Sequence, residues 1–303
     1  RDINHGINIL LDELISPGDY VLVETPTSQN AHNIFVSRGA KILEVPFREK
    51  NLDAEKFIFL VKKYSPKIFY LSPTFQMPTG LCYTESSKSL ALELAYNCGA
   101  HILEVNDCGD FFYGARPSPL KAADTRDRVI YLKSFDKILA PGLAGYVVCP
   151  REILSRLHAD GTSGCIQRSL DFYLNDFDFD AHCAKIRGVY SRRFKRTISA
   201  AETFFSRCAS FEKPEGGLGI WIRANGNFAD EFLARNVLVS PGNLYSAGAQ
   251  NFFRISFANT HEDDISKGIG IIASVLSTFS NGRQVGNGKR IALDNRDDST
   301  RFD

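Results

Sequence analysis

ESSKSLALELAYNCGAHILEV, residues 85–105, carries two patterns in a single stretch. From Glu85 to Cys98 it reads as a long amphipathic helix closed by Gly99, and residues 101–105 then read as a short buried strand. The same unit repeats on both sides. Upstream, residues 7–15 read as a helix that stops at Ser16-Pro17-Gly18-Asp19, and residues 20–24 as a buried strand. A helix over residues 31–37, a strand over 41–45, a helix over 53–63 with Asp53 as its N-cap and a strand over 67–71 follow. Downstream, residues 129–132 supply another strand. Helices alternating with short apolar strands predict an α/β fold, a mostly parallel sheet sandwiched by helices.

Past Pro150 the pattern changes. A long helix over residues 180–208 carries many Arg and Lys, most simply a solvated face. A smaller C-terminal α+β domain is predicted from strands at 218–223 and 252–257 and a last helix over 262–279, with Thr260 as its N-cap. Residues 281–303, rich in Gly, Asn, Asp and Arg, have too little apolar content to join a core and are expected to form a disordered polar tail. The predicted division is 1–175 for the large domain, 176–280 for the helix and small domain, then the tail.

The 303 residues, 44% hydrophobic and 23% charged, are enough to bury a sizeable core. A net charge of +1 without a basic block gives no electrostatic case for nucleic acid. No apolar run approaches the roughly 20 residues of a membrane span, and no leader opens the chain, so a cytoplasmic protein without membrane contact is expected. The seven cysteines are scattered and never in C-x-x-C spacing, which argues for reduced thiols and against a metal site.

Three segments carry a family resemblance. Residues 19–27 (DYVLVETPT), 72–80 (SPTFQMPTG) and 129–143 (VIYLKSFDKILAPGL) resemble, in order and spacing, the cofactor-stacking loop, the "P-x-x-Q-N-P-T-G" stretch and the "S-F-S-K-x-L-A-P-G-L-R" lysine segment of fold-type I aminotransferases. Gly216-Gly217-Leu218, Pro241-Gly242 and residues 253–257 (FRISF) resemble that family's small-domain motifs. Among its members the chain is most similar to the 2-aminoadipate aminotransferase group and the effector domains of MocR-type regulators. The resemblance implies pyridoxal 5'-phosphate as cofactor, amino-group transfer between an α-amino acid and a 2-oxo acid, and a homodimer. It begins in the first helix after the phosphate-binding turn, so an N-terminal arm is expected to be absent, as is a winged-helix DNA-binding segment.

The resemblance assigns roles residue by residue. Lys137 matches the lysine that forms a Schiff base with the cofactor and shuttles the substrate proton, chemistry that needs a free amine. Without that context it reads as a surface loop lysine. Ser134 would bind the cofactor phosphate or simply cap a strand end. Tyr70 would approach the cofactor oxygen, or sit in the core with a wet tip. Asn4, in the Asp2-Ile3-Asn4 segment, falls in the phosphate-binding turn. Arg254 matches the clamp for the substrate α-carboxylate, a task suited to a planar guanidinium, or else is an edge-strand arginine in a surface ion pair; its place between Phe253 and Ile255 favours a buried partner and hence the clamp.

Several positions depart from the family pattern. The aspartate that keeps the pyridine nitrogen protonated falls on Val105, its neighbouring tyrosine on Cys108, the stacking aromatic on Ser28, the asparagine of N-P-T-G on Met77 and the phosphate arginine on Ala144. Asp107 lies two residues beyond Val105, about 6–7 Å along a continuing strand, and would replace the lost aspartate only through a bulge. These losses define the rival expectation, a ligand-sensing or structural module that retains the fold without turnover.

Overall fold

The protein is described here from a computed structural model, whose described residues are 2–158 and 163–282. The first half alternates as expected: α1 (Ile3–Leu14), β1 (Tyr20–Thr25), α2 (Gln29–Ser37), β2 (Lys41–Arg48), β3 (Asn51–Leu52), α3 (Ala54–Tyr64), β4 (Ile68–Leu71), α4 (Glu85–Cys98), β5 (His101–Val105), β6 (Val129–Ser134) and β7 (Gly145–Val148). These strands form one sheet in the order β3-β2-β1-β4-β5-β6-β7. Its five central strands, β2, β1, β4, β5 and β6, run parallel, and the edge strands β3 and β7 turn back antiparallel.

Alternation along each strand sorts the core into two layers. Val21, Val23, Tyr70, Leu103, Val105 and Leu132 pack with Ile7, Leu10 and Phe35 of α1 and α2. Leu22, Phe69, Leu71, Ile102 and Val129 face the other way, onto Phe57, Val61, Ala91 and Ala95 of α3 and α4. Helix starts follow the capping logic, since Asp53 accepts from the Lys56 amide and Thr84 from the Ser87 amide.

The remaining elements are α5 (Arg151–Leu154), α6 (Gly164–Asp176), α7 (Phe179–Phe204), β8 (Ser210–Phe211), β9 (Gly219–Arg223), α8 (Ala229–Leu233), β10 (Ser240–Pro241), β11 (Phe252–Ser256) and α9 (Glu262–Gly282). β10-β11-β9-β8 make a second, antiparallel sheet. One of its faces, with Ile220, Ile222 and Phe253, is buried against Phe194, Ile198, Ile269 and Ile272 of α7 and α9. The other face carries Gly219, Trp221 and Arg223 opposite Ser256, Arg254 and Phe252.

Three sequence expectations are corrected. α9 starts at Glu262, so the residue before it is His261, not Thr260, and His261 Nδ1 lies 3.5 Å from the Asp263 amide. It continues to Gly282, and the expected tail beyond falls outside the described residues. The cations of α7 are not merely solvated. Arg187 donates to the Asp110 carbonyl at 3.1 Å, Arg193 donates to the Ala258 carbonyl, and Arg192 and Arg196 pair with Glu262 and Asp263 at 3.1 and 3.2 Å, fastening α7 to α9.

Glu24, fully buried near the carboxyl end of β1, accepts the Tyr83 hydroxyl, and burial pushes its carboxyl up to about 7. A folded-state value raised above the ordinary 4.5 means that the neutral form is the one the fold favours, so the stability it contributes is complete below 4.5 and lost as pH rises through about 7. Glu24→Gln is therefore expected to flatten the fall in melting temperature over that window. An unchanged pH profile would contradict it.

Candidate active site

β6 and β7 are joined by residues 135–144, whose base is closed by the Phe135 amide donating to the Ala144 carbonyl at 2.9 Å. Inside, the Leu139 amide bonds the Phe135 carbonyl at 2.8 Å, making a single helical turn, and the Asp136 carboxylate accepts the Gly142 amide at 3.0 Å. That turn holds Lys137 at the carboxyl edge of the parallel sheet, where open α/β sheets place their ligands. Its amine ion-pairs with the Asp107 carboxylate and lies 3.6 Å from the Cys108 Sγ.

Asp107 reaches Lys137 because β5 ends at Val105. The expectation that Asp107 shares a strand face with Val105 therefore does not apply. Val105 is buried in the apolar layer, Asn106 follows, and the chain then turns so tightly that a Cβ on Gly109 would stand 2.0 Å from Asn106 Oδ1. Asn106 Oδ1 itself is buried without a hydrogen-bond partner.

Burial and the charge of Arg254 push the Lys137 ammonium down to about 8. A larger fraction of the amine is thus neutral near neutral pH than in a free lysine. Cys108 is fully buried, and burial pushes its thiol up to about 11, so it stays protonated beside the amine.

Arg254 is the counterpart on the second sheet. It lies half-buried opposite Trp221 on β9, and its guanidinium makes no hydrogen bond or ion pair among the described residues. Space for it comes from Gly219, where an added Cβ would meet the guanidinium at 2.7 Å and the Ile255 carbonyl at 2.5 Å. A half-buried, unpaired guanidinium is an open receptor for a carboxylate.

The other expected site residues are placed as follows. Ser134 ends β6, buried, its Oγ without a hydrogen bond of good geometry although the Asp136 carboxylate is near enough to feel it. Asn4 is in the first turn of α1, where its carbonyl accepts from the Asn8 amide group at 2.9 Å. Asp2 caps α1 by accepting the His5 amide at 2.8 Å, and was not singled out from sequence. Tyr70 is buried, edge-on to Phe35 with ring centroids 5.5 Å apart, and has no hydrogen bond to Lys137, Asp107 or Ser134. Lys137, Asp107 and Cys108 are in contact, and Arg254 acts on both Lys137 and Cys108 through its charge.

Residues 4–272 match aminotransferase class I and II. The chain belongs to that family. It is 30% identical over 288 residues to the aromatic-amino-acid aminotransferase 1 of Thermococcus litoralis, covering 86% of this chain and 68% of that protein. It is 27% identical over 270 residues to an uncharacterised HTH-type transcriptional regulator of Bacillus subtilis, covering 84% of this chain and 56% of the regulator. The chain thus spans little more than half the length of that relative. The Pyrococcus horikoshii kynurenine aminotransferase structure superposes with a TM-score of 0.86 at 26% identity, covering 92% of this chain and 74% of that one. No helix among the described residues is long and apolar enough to cross a membrane, and no cluster of His, Cys, Asp or Glu there suits a metal ion.

Proposed function

We propose that this family member is a pyridoxal 5'-phosphate-dependent aminotransferase that moves an amino group between an α-amino acid and a 2-oxo acid. The observation that carries the reading is the facing pair of a half-buried amine of lowered basicity, Lys137, and an unpaired guanidinium, Arg254.

The residues present fit the cofactor. Lys137 offers the amine for covalent attachment, the buried Ser134 hydroxyl and the amides at the start of α1 offer donors for a phosphate, and Asn106 Oδ1 is a buried acceptor awaiting a donor. When bound, pyridoxal phosphate supplies an electron-accepting ring for the pair left behind as the amino acid loses its α-proton. Arg254 receives the α-carboxylate and fixes the orientation of the Cα–H bond. Lys137, freed when the substrate amine takes its place on the cofactor, would take that proton at Nζ. Asp107 holds Nζ in place between these steps.

The phosphate end is weaker than the lysine end. Asp2 already occupies an amide of α1, and Ala144 brings no cation. Asp2→Asn keeps the cap and removes a negative charge, so cofactor affinity is expected to rise several-fold, read by equilibrium dialysis. Unchanged or weaker binding would place the phosphate elsewhere.

Four further parts of the reading complete it. Residues 1–175 form the cofactor-binding unit and 176–280 the helix and small domain. A homodimer is supported by α6, which has no buried residue and leaves Phe172 and Leu174 exposed, beside exposed Phe177. The seven free cysteines suit a reducing cytoplasm. The apolar Val105 favours slow turnover, because no carboxylate holds a proton on the ring nitrogen there. The test is an amino-donor and 2-oxo-acid assay with cofactor in excess. Formation of the new amino acid supports an enzyme, and its absence from cofactor-loaded protein would favour the sensing module.

A further inference from the structure

Between the carboxyl ends of β1 and β2 and the open face of the second sheet lies a cavity of about 640 Å³, within the usual range for small-molecule sites. Its lining includes Thr25, Pro26 and Phe47 on one side and Trp221, Arg223 and Phe252 on the other. Trp221 and Phe252 stack with centroids 5.2 Å apart and planes 8° apart, and Tyr245 meets Trp221 edge-on at 5.4 Å. The Thr27 amide donates to the Tyr245 carbonyl at 2.9 Å, tying the loop after β1 to this aromatic group.

Trp221 is also the residue directly opposite Arg254 in the β9–β11 ladder. Opposed residues have Cβ atoms about 4.5–5.5 Å apart on the same face. A ligand whose carboxylate rests on Arg254 therefore presents its next few atoms to the Trp221 ring and the cavity beyond. We propose that this cavity is the side-chain compartment of the amino-acid site and that it takes a planar aromatic side chain, making aromatic amino acids and their 2-oxo acids the substrate class. The inference rests on Arg254 as the carboxylate clamp proposed above.

The lining decides between an aromatic and a second acidic group. Arg48 and Arg223 are exposed at the rim, where Glu49 and Glu212 are exposed with them, so the rim has no net charge to attract a second carboxylate. Exposed charges are screened and contribute little. The half-buried surface is aromatic instead, and ring-on-ring contact adds to what area burial alone contributes.

Trp221 is the only tryptophan in the chain, so its fluorescence reports on this cavity alone. Phenylpropionate, an unreactive ring with a carboxylate, is titrated into the protein beside hexanoate and adipate. A saturable fluorescence change with phenylpropionate, at least tenfold tighter than with either aliphatic acid and weakened at least tenfold in Arg254→Gln, is expected. Equal or tighter response to hexanoate or adipate overturns the aromatic assignment. A response that survives Arg254→Gln overturns the link to the amino-acid site. Reductive labelling of Lys137 by pyridoxal phosphate, run on the same sample, reports the underlying enzyme reading separately, so loss of one result does not masquerade as loss of the other.

Discussion

Lys137→Ala is expected to abolish transamination while leaving the fold standing. Proton transfer by a positioned group is worth roughly 10²- to 10⁴-fold in rate, and the substitution also removes the point of covalent attachment. The fold should tolerate it. Lys137 and Asp107 keep 31% and 32% of their side chains exposed, so their ion pair is solvent-screened and contributes about 1 kcal/mol or less. Unlike a buried pair, the carboxylate left behind can hydrate. The expected outcome is a thermal midpoint within a few degrees of the parent and no measurable amino-group transfer with cofactor in excess. Parent-like turnover in the variant would move the chemistry to another lysine.

Arg254 gives the second large effect, and it acts on substrate rather than cofactor. Each charge-assisted hydrogen bond contributes about 1.5–3 kcal/mol, so replacing a two-point contact by glutamine is expected to cost roughly 3 kcal/mol or more in kcat/KM, about 100-fold. Arg254→Lys should lose less, because the point charge remains and the paired geometry does not. Since the guanidinium makes no hydrogen bond or ion pair among the described residues, neither change should reduce stability appreciably. Simple amines without a carboxylate should react equally poorly with parent and variant. Equal kcat/KM for α-amino acids in parent and Arg254→Gln would return Arg254 to the surface.

The parallel sheet was legible because local signals agreed there. The helix Glu85–Cys98 and the strand His101–Val105 have the bounds read from the sequence, fixed by Gly99, which sits at φ +74 where a residue with a Cβ is strained. The two-residue strands β3, β8 and β10 were missed, being too short to show a period and held by their neighbours in the sheets. Of the α7 cations, Lys185, Arg192, Lys195 and Arg196 are exposed as read, while Arg187 and Arg193 are half-buried on carbonyls, a difference that composition does not carry.

At the site, sequence found Lys137 and Arg254 through their flanking motifs but not their surroundings. The position of Asp107 hinges on where β5 stops, one of the least certain features of any sequence reading. The room around the Arg254 guanidinium depends on the absent side chain of Gly219. That contact joins two strands 35 residues apart, and no local pattern marks it. Trp221 reads as one more apolar residue until the ladder sets it opposite Arg254.

Peptide mapping after borohydride reduction shows whether Lys137 is the residue that carries the cofactor. The protein is incubated with pyridoxal 5'-phosphate, reduced, digested and analysed by mass spectrometry. One pyridoxyl-modified peptide containing Lys137 is expected, at near-stoichiometric yield, and it should disappear in Lys137→Ala. A label spread over surface lysines, unchanged by that substitution and never found at Lys137, would contradict it.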